Sequence, residues 1–194
     1  AEAGYEYVEL GPYGYLPTDP DVLRAELDKR GLKLSAATFV TPLENADARE
    51  ENEAKAVRAG ELASAVGAEF LVAICSIYSD GHPSPYSEET KLSAERWGQL
   101  VDETDRLGEL VRERFGLRLT YHPCADSYVE YEDQIEALLD ETDPELVSLC
   151  LDTGHHAYRG GDPVAFMRRH HDRVPYLHVK TVDAAVLDQA MREN

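Results

Sequence analysis

The sequence predicts a parallel α/β fold, and three observations carry that prediction. Strand-like and helix-like segments alternate from one end of the 194 residues to the other. The middle strands are apolar at nearly every position, as expected of strands covered on both faces. Reactive polar residues stand where several strands end. Strands separated by helices pair in parallel, because each crossover must return to the starting edge of the sheet.

The elements follow in order. Tyr5 to Leu10 (YEYVEL) is rich in β-formers. Asp19 is placed to cap a helix with Pro20 in its first turn, and Gly31 stops it. Leu32 to Phe39 reads as a second strand, a helix runs from about Asp47 to Val66, and Gly67 ends it before the apolar strand Phe70–Cys75. Trp97, Leu100, Val101, Thr104, Leu107 and Val111 recur at spacings of three and four, which makes one apolar helical stripe. Gly116 closes that helix and Leu117 to His122 follows as a strand. Ile135, Leu138 and Leu139 mark the next helix, Val147 to Asp152 (VSLCLD) a fifth strand, Asp162-Pro163 a short helix, and Val174 to Lys180 a sixth strand. Two architectures accommodate six such units: an open doubly wound sheet, or a (β/α)8 barrel lacking two strands.

Composition narrows the function classes. Apolar residues at 43% and charged residues at 29% make a normal globular mixture, with no linker or low-complexity segment, so residues 1–194 read as one domain. No apolar run is long enough for a membrane span and the first residues do not form a signal peptide. The opening Ala1-Glu2-Ala3-Gly4-Tyr5 reads as a helix end entering a strand, so residues upstream are expected. With 38 acidic against 19 basic residues the charge is −19, which repels phosphate backbones and argues against nucleic acid as partner. Cys75, Cys124 and Cys150 match neither a zinc motif nor a disulfide framework, and two sit in apolar runs. Reduced thiols and a cytoplasmic setting are expected.

In either architecture the site lies beyond the carboxyl ends of the strands. Glu9 closes the first strand, His122 the fourth, Asp152 the fifth, and His178 and Lys180 the sixth. Carboxylate and imidazole are the ligands of Mn, Co, Zn or Mg. In Leu149-Cys-Leu-Asp152-Thr-Gly-His155-His156, an apolar strand delivers Asp152, Gly154 permits a sharp turn, and His155 swings back toward the same space. The plainer reading makes Asp152 a cap and His155 a loop residue. A histidine inside an apolar strand is more often a satisfied core residue. Alternation nevertheless puts Tyr176, His178 and Lys180 on one face, pointing inward if Leu177 and Val179 face the helices. Glu130 reads as ligand, catalytic base or simply an acidic helix start. His82, His170 and His171 read as surface.

The segments LCLDTGHHAYRGGDP and DRVPYLHVKTVD, with TYHPCADSYVE upstream, resemble inosose dehydratase and its relatives in the sugar phosphate isomerase/epimerase group, built on the xylose isomerase-like barrel. The resemblance runs from about Tyr5 to Asp183 and is specific in the last third. It implies a TIM (β/α) barrel, with about six of eight βα units in this chain and the first and last strands absent. It also implies a divalent metal, often Mn or Co, at the barrel mouth. Asp152 and His178 match two of the family's ligands, and His155 a position that binds metal or holds substrate. The first ligand is open between the His122 strand end and the carboxylates Asp126 and Glu130; the last, a glutamate, has no counterpart. Cys124 stands where close relatives tend to have histidine.

The chemistry implied is proton abstraction beside a carbonyl through an enediolate, by a sugar or cyclitol isomerase, epimerase or dehydratase. In that reading Asp152, His178 and His155 hold the metal, Glu130 and His155 are the acid/base candidates, and Glu9, His122 and Lys180 contact substrate. Two other classes compete: a barrel that has lost its site, and an apurinic endonuclease, which the charge opposes. Oligomeric state stays open, with a homo-oligomer among the options.

Overall fold

The computed structural model describes residues 3–75 and 91–193; His82 lies outside them. Six strands form one sheet: β1 (Tyr7–Glu9), β2 (Lys33–Thr41), β3 (Phe70–Cys75), β4 (Arg118–His122), β5 (Val147–Asp152) and β6 (Tyr176–His178). They lie side by side in chain order and every neighbouring pair is parallel. A doubly wound sheet would reverse its order at a switch point. Consecutive order is the winding of a barrel, and the sheet is a half-barrel.

The helices are α1 (Pro20–Asp28), α2 (Arg49–Val66), α3 (Ala94–Phe115), α4 (Glu132–Glu141), α5 (Thr153–Tyr158), α6 (Pro163–His170) and α7 (Ala184–Glu193). Local chemistry sets several boundaries. The Asp19 carboxylate accepts the amides of Asp21 and Val22 to start α1, and the Ser93 hydroxyl accepts that of Arg96 to start α3. At Gly116, φ of 66° ends α3 in a left-handed turn that glycine adopts without strain.

Strand alternation divides the core in two. Leu71, Ala73, Leu119, Tyr121, Val147, Leu149 and Leu151 face the helices and join the main cluster with Leu100, Leu107, Val111, Ile135 and Leu138. The opposite faces carry a smaller cluster of Ala36, Val72 and Cys150, flanked by Phe70, Ile74 and Tyr176. That second face is the concave interior. Curvature is strong enough for the first strands to meet the last across it. Ser35 Oγ and Tyr176 Oη share a hydrogen bond of 2.7 Å, and Glu9 Oε2 lies 2.8 Å from His178 Nε2.

Three expectations need correction. β1 and β6 are shorter than the runs Tyr5–Leu10 and Val174–Lys180, because among the described residues each has a single hydrogen-bonding neighbour and pairs only where the register matches. Leu177 and Val179 do not lie beneath helices; they are 38% and 80% exposed. The turn expected at Gly154 is instead the first turn of α5. Among the surface histidines, His171 is exposed, whereas His170 is half-buried with Nε2 3.0 Å from Glu136 Oε1. Among the described residues, no helix is long and apolar enough to cross a membrane.

Candidate metal centre

The carboxyl ends of β4, β5 and β6 bring His122, Asp152 and His178 together, and the first turn of α5 adds His155. Asp152 is 1% exposed and its two oxygens do different things. Oδ1 accepts the amides of Gly154 and His155 at 2.9 and 3.0 Å, capping α5. Oδ2 faces the cluster, 3.5 Å from His122 Nε2, 3.8 Å from His155 Nε2 and 3.8 Å from His178 Nδ1. The Lys180 ammonium donates to the same oxygen. Both readings of Asp152, cap and site residue, therefore describe one side chain. Gly154 is needed for this approach: a Cβ there would stand 2.6 Å from Lys180 Cβ.

Electrostatics favour a charged Asp152 carboxylate and a neutral His155 ring. Burial pushes the Asp152 carboxyl up, but His122, Lys180 and the His155 amide pull it down further, so it ends far below the ordinary carboxylate value. Burial lowers His155; Asp152 opposes this, and Lys180, His122 and His178 lower the ring again. Glu9 is lifted by burial and brought below its ordinary value by hydrogen bonds from His178 and Thr38.

Hydrogen bonds fix which nitrogen of each ring is available. His178 Nε2 donates to Glu9, leaving the Nδ1 lone pair toward Asp152, and a carboxylate behind a ring is the usual support of a metal-binding imidazole. His155 Nδ1 accepts the Ala125 amide at 3.1 Å, so in the neutral ring Nε2 carries the proton on the side facing Asp152. His122 is 3% exposed, and its Nδ1 is buried with no hydrogen-bond partner among the described residues. Ligand atoms of His122, Asp152 and His155 all lie within 4.8 Å of one another, as do those of His122, Cys150 and His178. A buried carboxylate, imidazoles and an unpartnered buried nitrogen suit Mn, Co or Zn.

The remaining candidates are placed differently. Glu130 is buried in the loop before α4, where Oε2 accepts Arg159 Nε at 2.5 Å and the Asp126 amide at 2.9 Å, partners outside the imidazole cluster. Glu9, the hydrogen-bond partner of His178, lines a cavity of about 360 Å³ with Tyr13, Thr38, Val40, Arg58 and Ile74; His122, Asp152, His155 and His178 do not line it. A larger cavity of about 550 Å³ lies at the opposite end of the strands, near Lys33 and Phe70. Cys124 Sγ lies 3.7 Å from His155 Nε2. Sequence reasoning missed Arg159, for which no local signal exists, and the inward placing of Cys150. Alternation from Asp152 would have located the latter.

Comparison with known proteins agrees with this fold. An inosose dehydratase of Geobacillus kaustophilus is 36% identical over 199 residues, covering 100% of this chain and 63% of the relative. The chain thus spans just under two thirds of that relative's length. Among solved structures, D-allulose 3-epimerase from a Methylomonas species superposes with a TM-score of 0.75 at 19% identity, over 98% of this chain and 70% of the other. An IolI protein with a bound zinc atom gives 0.72 at 18% identity, over 94% and 66%. The xylose isomerase-like TIM barrel description matches residues 1–192. Winding order, the polar strand ends and this match lead to one conclusion: the chain belongs to the xylose isomerase-like TIM barrel family.

Proposed function

We propose that the chain carries the metal centre of a sugar or cyclitol isomerase, epimerase or dehydratase, akin to inosose dehydratase, that removes a proton beside a carbonyl. The observation that carries the proposal is the convergence of Asp152, His122 and His178 from three adjacent strand ends; Glu9, bonded to His178, links them to a cavity of about 360 Å³. The names of the relatives, inosose dehydratase and D-allulose 3-epimerase, support the substrate class.

Asp152 and His178 would hold the cation, with His122 as a third ligand. The nitrogen and oxygen donor set suits Mn or Co, with Zn or Mg as alternatives. When bound, the cation supplies positive charge that stabilises an enediolate. Glu9 orients the His178 ring through their 2.8 Å hydrogen bond rather than contacting a substrate hydroxyl directly. His155, its Nδ1 occupied by the Ala125 amide, presents an Nε2 proton to the site and serves as acid/base or holds a substrate hydroxyl. Lys180 balances the Asp152 charge and is exposed enough to reach a substrate oxygen. Glu130 would have to leave Arg159 to act as base, so we assign it to holding that arginine.

Assays of the full-length protein with added Mn or Co against inososes and ketoses test the proposal. Asp152→Asn is expected to abolish metal-dependent turnover. Full activity in that variant would remove the central assignment.

A further inference from the structure

We propose that the interior holds a second cation position, formed by Cys150, His122 and His178, that prefers thiophilic metals. It rests on the reading of the strand ends as a metal centre and adds a choice within it. Cys150 and Asp152 are two residues apart on the inward face of β5, about 6–7 Å along a strand. Cys150 pairs with Tyr176, and Asp152 with His178, across the β5–β6 ladder. The same two imidazoles, His122 and His178, are thus offered a hard carboxylate at the rim and a soft sulfur one level below it.

Ligand atoms of His122, Cys150 and His178 lie within 4.8 Å of one another. Tetrahedral zinc with sulfur and imidazole ligands needs separations of about 3.5 Å, so closure asks for movements of about 1 Å. The unpartnered Nδ1 of the buried His122 ring is an independent sign that this ring has a ligand to find. Cys150 is buried among Ala36, Val72, Phe70, Ile74 and the ring of Tyr176. On binding, the thiol proton passes to solvent, a sulfur–metal bond forms, and neither sulfur nor metal changes oxidation state. Thiolate selects Zn and Co over Mn, whereas carboxylate accepts Mn. Zinc is therefore drawn below the rim, and manganese stays at Asp152.

The test is a Co(II) titration of metal-free protein read by absorption, with Mn binding measured separately by electron paramagnetic resonance. Wild-type protein is expected to show a thiolate-to-cobalt charge-transfer band. Cys150→Ser and Cys150→Ala should lose it, while Cys124→Ser keeps it. Both Cys150 variants should retain Mn binding, and their preference for Zn over Mn should fall at least about 10-fold. Stoichiometric cobalt without the band overturns the inference, as does a band that survives in the Cys150 variants or vanishes with Cys124→Ser. Manganese bound without a cobalt–thiolate band refutes this inference alone. Failure to bind either metal refutes it together with the metal centre.

Discussion

The two oxygens of Asp152 can be separated experimentally. Asp152→Ser and Asp152→Ala both delete the oxygen that faces His122, His155 and His178, and both should abolish Mn binding. They differ by one hydroxyl, which can accept the amides that Oδ1 now accepts at 2.9 and 3.0 Å. Loss of a helix cap costs about 1 kcal/mol, so the serine variant should be more stable than the alanine variant by that amount. For a chain of this size, 1 kcal/mol corresponds to roughly 2–4 °C in Tm. Urea unfolding gives the free-energy difference, provided the two denaturant slopes agree. Equal midpoints for the two variants would refute the capping role, and Mn binding by either would take the carboxylate out of the metal site.

Two further outcomes are expected. Gly154→Ala places a Cβ 2.6 Å from Lys180 Cβ and should destabilise the fold by about 1–3 kcal/mol while weakening Mn binding; an unchanged melt would contradict the close approach. Burial, with the charges of Asp152, Asp126 and Glu130 adding to it and Lys180 opposing, pushes the Cys124 thiol up to about 11. A depleted thiolate gains about tenfold per pH unit below its pKa. Alkylation of Cys124 in the metal-free native protein should therefore keep rising through pH 10, whereas an ordinary thiol of pKa about 8.5 levels off near pH 9. Cys75 and Cys150, both buried, should stay unmodified, as peptide mass mapping would show. A plateau near pH 9 would refute the burial argument.

Legibility in the sequence follows the range of the interaction involved. The helix over Ala94–Phe115 was readable because its apolar stripe and its Gly116 boundary are local. The helix α5, six residues long, was not, since so short a segment stands only by virtue of the Asp152 cap and its packing on β5 and β6. Asp152 and His178 could be singled out by reading strands to their ends. The hydrogen bond from His178 to Glu9 could not, because 169 residues separate the two. The pairing of Glu130 was hidden for the same reason: its partner Arg159 comes from another segment, 29 residues on.

The sequence alone determined the alternation of elements, their parallel pairing and the kinds of side chain at the strand ends, since each depends on periodicity or caps within a few residues. Periodicity left an open sheet or a barrel, and the family resemblance implied the barrel; only the tertiary structure set which nitrogen of His155 and of His178 faces the site and brought Glu9 to His178. Those outcomes depend on how a twisted sheet curls until its first strand meets its last. Such curvature comes from the accumulated geometry of all six strands and leaves no mark on any one of them.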